Sequence, residues 1–259
     1  PCDYLTRDEL EHCRAMYAGE ATLVDDCIGR VLQTVDSLGL HEDTAIIFTS
    51  DHGFYLGEHG LIGKSIIIQD FYGSAPLYEE VAHIPLFVRL PDGLGRGGRP
   101  EVDELAQPPD VTATVLDLAG MDWRKYGAQG RSLLPCMMGE EPLRAFAVSS
   151  PPIVHGPGAG TRATITTKRW SLILAPLGAS SAVAKAEFTM MVDGRRRALR
   201  PFGEIDSELY DLAADLRQGN NVLHDNLNTA RGLHEMFTAW LRGVGAKEEC
   251  VAPWLKCRG

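Results

Sequence analysis

"TAIIFTSDHGFYLGEHGLIGK", residues 44–64, runs from an apolar strand-like segment straight into an Asp-His pair, a Glu-His pair and a lysine spaced by glycines. "TAIIFTS" lacks polar alternation, so it reads as a strand buried on both faces, as in sheets covered by helices on each side. In open α/β sheets ligands sit beyond the carboxyl ends of the strands, which is where Ser50, Asp51 and His52 fall. An Asp offers a hard anionic oxygen and a His a neutral imidazole nitrogen, so the pair can turn toward one cation. The competing reading is an Asp that caps a turn beside a surface His. Gly53, Gly57, Gly60 and Gly63 would let the following backbone run close to a ligand.

Upstream, Thr6 and Glu9 form a capping box, and Tyr17, Ala21, Val24, Ile28, Val31, Val35 and Leu38 recur at three- and four-residue steps. A long amphipathic helix is expected, stopped near Gly39. Downstream, "IPLFVRL" (84–90) reads as a second core strand closed by "PDGLGRGGRP". Asp110 is placed to cap a helix over "VTATVLDLAG", and "AFAVSS" (145–150) is a third strand. Helices alternating with apolar strands predict an α/β fold with a mostly parallel sheet flanked by helices.

Composition changes at "SSPPIVHGPGAG" (149–160), which divides an α/β part, residues 1–150, from a smaller C-terminal subdomain, residues 151–259. There, "RATITTKRWSLILAP", "AEFTMMV" and "SELYDL" predict antiparallel strands, followed by a helix over about residues 229–242 with Leu233, Phe237, Trp240 and Leu241 on one face. The 259 residues are 44% hydrophobic, enough for a substantial core. A net charge of -10 argues against nucleic-acid or anionic-membrane partners, which reward clustered Lys and Arg. No apolar run approaches the roughly 20 residues that span a bilayer. The six cysteines form no C-x-x-C pair, so neither a zinc knuckle nor a dense disulfide framework is expected. The opening Pro1 suggests a segment of something longer.

Taken whole, residues 44–64 followed by "PLYEEVAHIPLFVRLPDG" (76–93) closely resemble the sulfatase family of the alkaline-phosphatase superfamily. "YAGEATLVDDCIGRVLQTVDSLGL", "DVTATVLDLAG", "GRSLLPCMMG" and "ELYDLAADLRQGNN" extend the likeness over nearly the whole chain, with Leu216 and Gln218 where the last motif usually carries Pro and Glu. The match is to the C-terminal half to two-thirds of a complete sulfatase. The resemblance implies an alkaline-phosphatase-like fold and sulfate-ester hydrolysis. It makes Asp51 and His52 ligands of one divalent cation, calcium by family likeness, with manganese or zinc also suited to an imidazole. It makes Lys64 the catalytic lysine that contacts the sulfate group, although by itself that residue reads as a solvated loop lysine. Glu58 and His59 would orient a ligand from behind or form a structural pair at a glycine turn, and His83 reads as structural.

Two signatures are missing from the chain: the early Asp pair that completes the metal site and the C/S-x-P-S-R motif that yields formylglycine. Cys2 is followed by "DYL" and Cys136 by "MMG". The expected partners are therefore a small-molecule or saccharide sulfate ester and an N-terminal half that carries the nucleophile. Two other readings stand beside this one: phosphate or phosphonate ester hydrolysis on the same scaffold, and a truncated, non-catalytic binding protein.

Overall fold

The computed structural model describes residues 2, 5–68, 71–74, 77–94, 101–150, 162–176, 188–192, 195–199 and 206–257. The loop expected at 149–160, with its His155, lies almost entirely outside them. The chain divides into two compact units: Pro1–Cys13, His52–His83 and Val148–Gly259 form one, Arg14–Asp51 and Ile84–Ala147 the other.

Helix α1, Arg7–Ser37, begins at the predicted capping box, where the Thr6 N–H donates to Glu9 Oε2 at 2.6 Å. The heptad-like apolar positions predicted to be its buried face are not buried. No residue of α1 is buried, and Tyr17, Leu23, Val24, Val31 and Leu38 are all exposed. Strand β1, Ile46–Thr49, is followed by the short strands β2, Tyr55–Leu56, and β3, Ile62–Gly63, which pair as an antiparallel hairpin. Strands β4, Ser65–Ile68, and β5, Phe71–Ser74, form another. After helix α2, Glu79–Ala82, strand β6, Leu86–Arg89, returns to β1 and pairs with it antiparallel, Thr49 opposite Leu86.

The α/β class holds, but the parallel direction expected for β1 and β6 does not, and every pairing with a defined register among the described residues is antiparallel. Thr49, at the carboxyl end of β1, lies opposite Leu86, at the amino end of β6, so the two strands run in opposite directions. Nor are these strands buried on both faces: neither holds a fully buried residue, and Phe48 and Phe87 meet at a tilt in the open, ring centroids 5.9 Å apart.

Helix α3, Pro108–Leu118, starts two residues before the predicted cap. Asp110 caps it from inside, accepting the Gln107 N–H at 2.7 Å. It is fully buried, and Arg144 meets it with both terminal nitrogens, Nη1 at 2.7 Å. Around helix α4, Leu134–Met138, the residues Leu133, Cys136 and Leu143 make the core of this unit.

The C-terminal strands follow the sequence prediction. Strands β7, Ala147–Ser149, β8, Ala163–Thr166, β9, Trp170–Leu174, and β12, Glu208–Asp211, form a sheet in the order β12-β9-β8-β7, and β10, Phe188–Val192, pairs with β11, Arg195–Leu199. Helix α5, Leu227–Gly243, packs on β8 and β9, and its Leu233 and Phe237 are buried. A four-residue helix α6, Glu248–Val251, follows. Among the described residues no helix is long and apolar enough to cross a membrane.

Candidate active site

The candidate site grows from the residues that follow β1. Asp51 is exposed, and its Oδ1 accepts the Ser50 hydroxyl at 3.4 Å. His52 is half-buried, with Nδ1 2.8 Å from the Gly53 carbonyl oxygen. A carbonyl only accepts, so Nδ1 carries the proton and Nε2 is the nitrogen that bears the lone pair. This is the usual way a backbone carbonyl orients a liganding imidazole.

Gly53 is required by a close contact with backbone. Its N–H donates to Val81 O at 2.9 Å, and a Cβ there would lie 1.8 Å from Glu80 O. No other residue lets the two backbones meet so closely. From Tyr55 the chain turns back through Gly57 (φ 113°), His59 (φ 53°) and Gly60 (φ 65°), with Gly57 N–H donating to Leu61 O at 2.8 Å.

The register pairs Tyr55 with Gly63, so the hairpin's open end carries His52 three residues before that pair and Lys64 one residue after it. Directly opposed strand residues have Cα atoms about 4.5–5.5 Å apart. The fold thus returns the chain at Lys64 toward the start of β2, the strand that follows the histidine. Lys64 is exposed.

Glu58 and His59 do not pair with each other. Glu58 Oε2 accepts the Leu56 N–H at 2.6 Å, closing the turn. His59 stacks on Tyr78, centroids 3.8 Å apart and planes 10° from parallel, with Nε2 3.2 Å from Glu80 Oε2. His83 reaches Glu79 Oε2 at 3.1 Å, and that hydrogen bond raises its pKa above the ordinary value.

Behind the turn lies a group that the sequence reading did not single out. Fully buried Tyr55 accepts the Tyr78 N–H at 3.0 Å on its hydroxyl. Glu208 Oε2 accepts the hydroxyls of Tyr78 at 2.6 Å and Tyr210 at 2.9 Å, while its Oε1 accepts Arg162 Nη1 at 3.0 Å. Burial pushes all three tyrosines well above the usual tyrosine range, so they remain protonated donors. The available signal was the aromatic in "PLYEE" and the Tyr of "ELYDL", which carry the family likeness but no local pattern that joins them.

Among the described residues no group of three or more His, Cys, Asp or Glu side chains gathers in a way that would hold a metal. Asp51 and His52 match the donor types a divalent cation takes, but they provide two ligands where calcium takes about six to eight. Burial raises the Cys136 thiol and pushes that of Cys257 up to about 11, which disfavours the reactive thiolate at these two positions.

Residues 4–121 match the family model "Sulfatase". Over 138 residues, 53% of this chain and 24% of the relative, the sequence is 36% identical to the multifunctional alkaline phosphatase superfamily protein PehA of Trinickia caryophylli. Arylsulfatase K of Rattus norvegicus is 27% identical over 92% of this chain and 40% of its own length. The N-acetylglucosamine-6-O-sulfatase of Bacteroides thetaiotaomicron is 33% identical over 48% of this chain and 20% of its own. The chain therefore spans well under half the length of these curated relatives. Among solved structures, the phosphonate monoester hydrolase of Agrobacterium radiobacter superposes with a TM-score of 0.63 at 25% identity, covering 93% of this chain and 43% of that one. A protein solved with its substrate D-glucosamine-2-N,6-O-disulfate gives 0.60 at 25%, covering 86% and 39%. Over residues 4–121 the chain is similar to the sulfatase family, and its fold is like that of these solved structures.

Proposed function

We propose that this chain is part of a sulfuric ester hydrolase acting on a small-molecule or saccharide sulfate ester. The observation that supports it is the Tyr55↔Gly63 register, which returns Lys64 to the end of the hairpin where His52 begins. Asp51 and the His52 Nε2 would hold one divalent cation, calcium by family likeness. Such a cation would supply Lewis-acid charge to the ester oxygens. The Lys64 ammonium would bind a sulfate oxygen and stabilise the charge that grows as the sulfur–oxygen bond breaks, an effect larger in a water-poor site than in bulk. Glu58 would keep the turn closed behind these groups. The nucleophile, formylglycine by resemblance, would come from polypeptide outside these 259 residues. The exposed stripe of α1 and the exposed Phe48–Phe87 pair support that reading, because both are apolar surfaces of a kind that further α/β core would cover.

A second reading, phosphate or phosphonate ester hydrolysis, is favoured by the superposition on a phosphonate monoester hydrolase over nearly the whole chain. Rates of the complete protein on 4-nitrophenyl sulfate and 4-nitrophenyl phosphate separate the two. Sulfate turnover that falls about 10²–10³-fold in Lys64→Ala is the expected result. A strong preference for phosphate would transfer the site to the second reading, and turnover unchanged by the lysine substitution would remove Lys64 from the chemistry.

A further inference from the structure

Two non-glycine residues among those described have a positive φ, His59 at 53° and Gln218 at 51°. Both spend their side chains on one segment, Tyr78–Glu80. His59 stacks on Tyr78 and reaches Glu80 Oε2, and the buried Gln218 accepts the Glu79 N–H on Oε1 at 2.7 Å. A residue with a Cβ in the left-handed region costs about 1–3 kcal/mol, and it persists only where its surroundings hold it. Glycine would remove that cost, and the same turn already uses glycine at 57, 60 and 63. What glycine cannot supply at position 59 is the imidazole ring.

That ring is tied to Lys64 by a short path. Tyr55 meets both members of the stack edge-on, His59 at 6.3 Å and Tyr78 at 6.2 Å between centroids. Tyr55 is also the strand partner of Gly63, the residue before Lys64. On the other side, Gly53, which follows His52, is pinned to Val81 O at the end of the segment that the stack holds. If the stack loosens, the partner strand that sets the lysine's register loosens with it.

We propose that His59 is a positioning residue, which holds Lys64 in register with His52 through the His59–Tyr78–Tyr55 rings. The proposal rests on the reading of Lys64 given above. The test uses the complete protein with His59→Gly and His59→Asn, both of which accept the left-handed backbone while removing the ring. Expected is a fall in kcat of about 10–100-fold per folded molecule, since a misplacement near 1 Å can cost that much, with KM moving far less and free imidazole restoring part of the loss in His59→Gly. A second readout needs no turnover: competitive acetylation of Lys64 relative to Lys125 and Lys247, both highly exposed. The Lys64 ratio should change in both variants and return toward wild type with imidazole. A lowered melting temperature with unchanged kcat and an unchanged Lys64 ratio would overturn the proposal. A wild-type protein that cleaves neither ester would defeat the hydrolase reading instead, and the acetylation ratio would then decide the positioning role alone.

Discussion

Strands β1, "IIFT", and β9, "WSLIL", look alike as apolar runs, yet Leu172, Ile173 and Leu174 of β9 are 0–1% exposed while Phe48 of β1 is 37% exposed. The two helices repeat the contrast. The 31-residue α1 buries nothing, whereas the 17-residue α5 buries four residues. An apolar run is a request for a covering layer. β9 has β12 and β8 on its two edges and α5 packed against it, whereas among the described residues β1 has one strand partner, β6. The hairpin of residues 55–63 resembles the C-terminal sheet in this respect, because Tyr55, Tyr78, Ile173 and Tyr210 share one buried cluster.

The largest effect expected from breaking this contrast is at Leu172→Ala, which empties space in a fully buried strand and should cost about 2–5 kcal/mol in urea unfolding of the chain. A cost below 1 kcal/mol would mean that β9 is not the packed strand it is taken to be. Next comes Gly53→Ala. Its methyl would sit on the Glu80 carbonyl, so the hairpin must separate from α2, at about 1–3 kcal/mol. Amide exchange at residues 53 and 81 should accelerate together, and a neutral substitution would show that the close approach is not maintained in solution.

The smallest effect sharpens the comparison most. Val31→Ser on α1 should change the stability of the 259-residue chain by less than about 0.5 kcal/mol, as exposed substitutions do. In a complete protein that covers the helix, the same change should cost about 1.5–3 kcal/mol. Equal small costs in both contexts would remove the proposal that further polypeptide packs there.

The elements were legible because they are local. The capping box at Thr6, the β8–β9 antiparallel pair, β12 and the α5 face of Leu233 and Phe237 each follow from residues a few positions apart. So did the placement of Asp51 and His52 at a strand end, and family likeness added Lys64. Local pattern could not say which apolar surfaces find a partner, and for that reason β1, β6 and α1 departed from expectation.

By itself, then, the sequence determined where strands and helices form and which titratable residues stand together in the turn after β1, since periodicity, capping and glycine placement act over a few residues. Only the tertiary structure decided that β1 and β6 run antiparallel, that Gly53 lies against Glu80, that His59 leaves Glu58 for Tyr78 and Glu80, and that Glu208 gathers two tyrosines and Arg162 from distant segments. The physical reason is that burial, stacking and shared hydrogen bonds are relations between distant segments, such as Glu79 and Gln218, 139 residues apart, and no single stretch of chain contains both sides of such a contact.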